Sequence, residues 1–86
     1  MTQTEFTFDK PRPSDLFKPG SQNYRLYERL LMGSVTNHEI VEGMKIYNST
    51  GRAADIRKAL KPHLMDVQAT RLHDGLFEYS LKGNNL

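Results

Sequence analysis

Thr36–Leu60, TNHEIVEGMKIYNSTGRAADIRKAL, decides the fold of this chain. Thr36 and Glu39 stand in T-x-x-E order, the pattern of a capping box in which each side chain satisfies a free amide of a first helical turn. Ile40, Val41 and Met44 give the short helix that follows an inner face. Gly43 is a poor helix-interior residue and marks its end. A tight turn comes next, with Ile46 reaching into the core. Asn48, Ser49 and Thr50 are all competent caps for a further helix, read as 49–60. Ala53, Ile56 and Leu60, spaced three and four residues apart, form its buried stripe, and Pro62 cannot continue it. Gly51, Ala54, Asp55 and Lys58 face away from that stripe, flanked by Thr50, Arg52 and Arg57.

Upstream, Ser21 is a plausible N-cap for a helix over 22–32. Leu26, Tyr27, Leu30 and Leu31 recur there at helical spacing, with Tyr24 one turn earlier and Arg25, Glu28 and Arg29 on the outer face. Gly33 can adopt the left-handed conformation that ends a helix. Ser34 and Val35 fit one short strand. Downstream, from Met65 to Leu81, the period changes to two, and Asp74-Gly75 is a two-residue hairpin signal. That turn pairs Leu72 with Phe77, Thr70 with Tyr79 and Gln68 with Leu81, and sets Arg71 opposite Glu78. The expected architecture is α+β: three helices and a small antiparallel sheet in the order α-(β)-α-α-β-β. A helix–turn–helix closed by a hairpin wing is a winged helix-turn-helix, here spanning 21–82 with a frayed tail at 83–86.

Residues 1–20 hold three of the four prolines, Pro11, Pro13 and Pro19. Proline pushes the residue before it towards extended geometry, so Lys10, Arg12 and Lys18 lie outside any long helix. The expectation is a flexible arm, available to order on DNA or another subunit through those cations or the Phe8 and Phe17 rings.

At 86 residues with 37% apolar side chains, the chain can bury a thin core and no deep cavity. That weighs against an enzyme, which needs a sizeable pocket. The net charge of +2 is unevenly distributed. Residues 21–62 carry Arg25, Arg29, Lys45, Arg52, Arg57, Lys58 and Lys61 against Glu28, Glu39, Glu42 and Asp55, so the helical part holds the positive excess. With no cysteine, disulfides and thiolate metal sites are excluded. His38, His63 and His73 lack metal-ligand spacing, no cofactor motif is present, and Asn48-Ser49-Thr50 reads as a cap rather than a glycosylation site. No apolar run reaches a membrane span and no signal-peptide pattern opens the chain, so a cytoplasmic protein without a membrane partner is expected.

The chemistry of 48–58 suits nucleic acid. A recognition helix enters the major groove N-terminus first, where Asn48, Ser49 and Thr50 meet phosphates or base edges. Arg52 can bond guanine in bidentate fashion or clamp a phosphate, and Lys58 reaches a phosphate as a point charge. Arg57 is divided between a DNA contact and a structural pairing with Glu28, Glu39 or Asp55. The plain alternative is that Asn48–Thr50 only cap the helix and Arg52 and Lys58 are solvated. Asp55 would repel phosphates unless paired, and the hairpin tip offers only His73 as a cation, which speaks against wing insertion.

SQNYRLYERLLMGSVTNHEI, then GRAADIRKAL, then a hairpin ending FEYSLK, resembles the small winged helix-turn-helix domains of phage and prophage proteins. Those have a Gln-containing first helix, a G-x-V-T-x-x-E-I step, an R-I-x-D-L-R-like recognition helix and a two-stranded wing. The likeness covers 21–82 and is most specific at Gly33-Ser34-Val35-Thr36 with Glu39-Ile40, and at Arg52 with Asp55-Ile56-Arg57. Here Ala53 replaces a bulkier residue and Leu60-Lys61-Pro62 replaces a glycine-containing helix exit. The resemblance implies a non-enzymatic DNA-binding regulator or accessory factor of a phage or mobile element, acting on double-stranded DNA in a bacterial cytoplasm. The alternative expectation is a protein-interaction module on the same scaffold, an antirepressor, inhibitor or assembly adaptor with a host or phage protein as partner.

Overall fold

The 3.6-residue period upstream becomes helix α2, Gln22–Leu31, in a computed structural model that describes residues 10–83. The Ser21 hydroxyl accepts the Tyr24 amide at 3.2 Å and so caps it as expected. Leu26, Tyr27 and Leu30 are buried. Gly33 follows at φ +142°, a region that side chains beyond glycine rarely enter. Strand β1 is Val35–Thr36, one residue later than expected.

The expected second helix starts at residues 37 and 38 and continues as a π-helical turn, Glu39–Gly43, in which the Met44 amide donates to the Glu39 carbonyl five residues back at 3.1 Å. Only half of the capping box forms. The Glu39 amide donates to Thr36 Oγ1 at 3.1 Å, but the Glu39 carboxylate accepts from Nε and Nη2 of Arg29 at 3.2 and 3.1 Å. A guanidinium fork outcompetes a single amide for a carboxylate. The Ile46 amide reaches back to the Ile40 carbonyl at 3.0 Å, and both isoleucines are fully buried, each stabilising the fold by roughly 1.5–3 kcal/mol. The segment ends at Gly43, as expected, and the left-handed residue of the turn that follows is Lys45, at φ +61°.

Helix α3, Ser49–Leu60, buries Ala53, Ile56 and Leu60, the stripe its spacing dictates. It passes into a single 3-10 turn, Lys61–His63, which contains Pro62. Strands β2 (Met65–His73) and β3 (Leu76–Gly83) form the hairpin, and the sheet order is β1-β3-β2, all antiparallel. Among the described residues the fold is thus α+β, with α-helical, π and 3-10 segments and a three-stranded antiparallel sheet.

The hairpin register departs from expectation. His73 pairs with Leu76 around Asp74-Gly75, but Arg71 pairs with Phe77, Thr70 with Glu78 and Val67 with Leu81. A bulge at Leu72 inserts one unpaired residue and moves the rest of β2 by one place. The reason is burial. A one-residue slip exchanges the faces of a strand, and the bulged register puts Met65 and Val67 on the same side as Tyr79, where all three are buried. Arg71 consequently loses Glu78 and pairs with Asp74, while Glu78 accepts from Ser34 Oγ at 3.1 Å.

Residues 10–17, expected as part of an arm, dock on the body. The Tyr27 hydroxyl is buried and needs an acceptor, which the Pro11 carbonyl supplies at 2.7 Å. A four-residue helix α1, Pro13–Leu16, follows, and Leu16 and Phe17 pack against the core. The Phe17 ring meets Tyr27 edge to face with centroids 6.1 Å apart. Burial, assisted by the nearby Asp15 carboxylate, pushes the Tyr27 hydroxyl up to about 12. The expectations for Phe8 and for the tail beyond Gly83 lie outside the described residues.

Candidate nucleic-acid interface

The inner stripe of α3 fixes which of its residues can meet a partner. Asn48 caps the helix, its Oδ1 accepting the Gly51 amide at 3.1 Å. A Cβ at position 51 would collide with that Asn48 amide, so glycine there follows from the cap. Asn48 is exposed, Ser49 half-buried and Thr50 exposed at the mouth of the helix. Ala54, Asp55 and Lys58 are exposed along the outer face.

The three cations of the expected site separate. Arg52 turns towards α2, and its Nη2 lies 3.0 Å from Asp55 Oδ2, one turn along the same helix. Asn23 of α2 donates from Nδ2 to that same Oδ2 at 3.3 Å, so one carboxylate oxygen joins two helices. Arg52 Nε and Asn23 Oδ1 are buried without partners in this cluster. Arg57 turns the other way, to the sheet. Its Nε donates to Asp66 Oδ1 at 3.0 Å and its Nη2 to the Val67 carbonyl at 2.8 Å. None of the partners expected for Arg57 from sequence, Glu28, Glu39 or Asp55, is used, because Arg57 lies on the opposite flank of α3 and the bulged register brings Asp66 beneath it. Lys58 makes no ion pair among the described residues and projects beside Lys61, where Ala54, Arg57, Met65 and Asp66 complete a groove of about 360 Å³.

Charge is therefore less available than composition suggests. Arg25 donates to the Met44 carbonyl at 2.8 Å, and Arg29 holds Glu39 together with the Gly33 and Ser34 carbonyls. With Arg52 and Arg57 committed as well, the cations of 21–62 without an ion pair or side-chain hydrogen bond among the described residues are Lys45, Lys58 and Lys61. The hairpin tip is tied down rather than free: Asn37 Nδ2 donates to the Gly75 carbonyl at 3.0 Å and its Oδ1 accepts the Phe77 amide at 2.9 Å. Asn23 and Lys61 thus belong with the expected residues, while Asn37 fixes the hairpin tip. The asparagines act on partners more than 30 residues away, a separation that local spacing does not encode.

Comparison of the chain with protein-family models, with curated proteins and with solved structures gives no match. No helix among the described residues is long and apolar enough to cross a membrane.

Proposed function

We propose that this domain is a non-enzymatic winged helix-turn-helix DNA-binding protein, a regulator or accessory factor of a phage or mobile element, that lays α3 in the major groove. The observation that carries the reading is the division of α3 into a buried stripe and an outer face where Ala54, Asp55 and Lys58 stand exposed, with Arg52 half-buried on the α2 flank. The order α2-β1-turn-α3-β2-β3 with strands β1-β3-β2 supports it, since a wing packed beside the second helix of the motif has this connectivity. Asn48 and Ser49 act here through the cap and first turn, Arg52 and Lys58 through bases and phosphates. Arg57 serves the sheet, and the tethered, cation-poor hairpin tip lies outside the proposed contact.

Titration with randomised duplexes at several salt concentrations tests this. Affinity should fall steeply with salt, and Arg52→Ala should weaken specific binding by about 1–3 kcal/mol and relax sequence preference. Salt-independent binding, or no enriched sequence, breaks the reading.

A second reading, a protein-interaction module on this scaffold, is favoured by the internal commitment of four arginines and by the exposed Met32 and Tyr47 side chains. A partner recovered from nuclease-treated lysate and lost on Tyr47→Ser would favour it.

A further inference from the structure

We infer that Asp55 is a specificity-determining residue of α3, its free oxygen Oδ1 accepting from the amino group of a cytosine while Arg52 takes a guanine on the neighbouring base pair. This rests on the DNA-binding reading above.

An exposed carboxylate on a helix facing phosphates carries a repulsive cost for every sequence unless it also accepts a hydrogen bond that only some sequences offer. The geometry here prepares that bond. Both contacts to Asp55, from Arg52 Nη2 at 3.0 Å and from Asn23 Nδ2 at 3.3 Å, end on Oδ2, which leaves Oδ1 without a partner among the described residues. The carboxylate is held from two helices yet remains 46% exposed, so it is oriented without being covered. Gly51 and Ala54 beside it carry nothing longer than a methyl group, so neither holds a base edge away.

The choice of base follows from the groove. Cytosine and adenine present amino donors there, but adenine sets the N7 acceptor next to its amino group, where a carboxylate oxygen is repelled. Cytosine carries C5–H on that side of N4 and leaves its acceptor neighbour, guanine O6, on the other. For Arg52, the buried Nε points inward, so the donors left for DNA are on the Nη edge, which matches guanine O6 and N7. The Arg52–Asp55 contact would persist in the complex and couple the two readings.

The experiment selects binding sites from a randomised duplex pool with the wild-type chain, Asp55→Asn, Asp55→Glu and Asn23→Ala, with thermal melts to confirm folding. Wild type should enrich a cytosine at one position. Asp55→Asn should shift that position towards adenine, which an amide bonds through N6 and N7, changing the ratio there by roughly five- to hundred-fold. Asp55→Glu keeps the charge but moves the oxygen, so it should lose the cytosine preference without changing the salt slope. Asn23→Ala should weaken the preference at the same position and, more weakly through the Arg52–Asp55 contact, at the neighbouring guanine. If the variants enrich the wild-type motif unchanged and Asp55→Asn merely binds every duplex more tightly, Asp55 is an electrostatic bystander and the inference is overturned. A wild type that enriches nothing overturns the DNA-binding reading itself, an outcome visible before any variant is examined.

Discussion

Helices α2 and α3 press their inner faces into one core, yet their polar sides do different work. Every hold on α2 comes from outside it or reaches beyond it: Tyr27 to the Pro11 carbonyl, Arg25 to the Met44 carbonyl, Arg29 to Glu39 and to the carbonyls that follow the helix. Its arginines saturate backbone groups that the irregular segments around the π turn leave unpaired. Helix α3 is held at its flanks, by Arg57 on the sheet side and by the Asn23–Asp55 contact on the α2 side, and its outer face is left open. The arginines of α2 are tied into the scaffold, whereas α3 presents a face. Counting positive side chains without this distinction overstates the surface available to an anionic partner.

The sharpest way to break the contrast is to show that α3 is not anchored by its inner stripe. Ile56 is fully buried, so Ile56→Ala should cost on the order of 2–5 kcal/mol in chemical denaturation, whatever the function. A cost below roughly 0.5 kcal/mol would mean that α3 is not seated as described. The next effect concerns α2. Tyr27 is stabilised in its neutral form, with its folded value near 12 above the ordinary 10.0. Stability from this shift is complete below about pH 10 and is lost as pH rises through about 12, a decline of about 2–3 kcal/mol. Tyr27→Phe removes the group, so urea melts of that variant should show a smaller alkaline decline than wild type. Equal declines would mean that the phenol is not buried as described.

These anchors also mark where sequence reasoning succeeds. The stripe Ala53/Ile56/Leu60, the Ser21 and Asn48 caps and the Asp74-Gly75 turn are local patterns, and each is present in the structure. What escaped is non-local. The register of β2 is set by which face must bury Met65 and Val67, and the Leu72 bulge that resolves it has no glycine to announce it. Proline content pointed to an arm, but a buried phenol in α2 needed the Pro11 carbonyl. At the candidate site the outward residues of α3 were legible from helical spacing, because a 3.6-residue period fixes direction. Their partners were not. Asp66 and Asn23 reach α3 only through tertiary packing, and the same arginine reads as a DNA contact or a structural clip until that packing is known.

The smallest effects give the most direct test of scaffold against face, and they come from exchanging a cation of each kind. Arg29 is largely covered, and its removal strands Glu39 and two carbonyls, so Arg29→Ala should lower stability by about 1–2 kcal/mol. On DNA it should leave the salt slope where it was, because its charge is already neutralised within the fold. Lys58→Ala should behave in the opposite way. With no ion pair to lose among the described residues, it should cost no more than roughly 0.5 kcal/mol of stability. Because one phosphate contact would disappear, its affinity for all sequences should fall alike and the logarithmic salt slope should flatten by about one unit. Binding isotherms at graded salt and urea melts on the same two variants measure both quantities. If Arg29→Ala flattens the slope and Lys58→Ala does not, then α2 rather than α3 faces the nucleic acid, and the assignment of the two helices must be reversed.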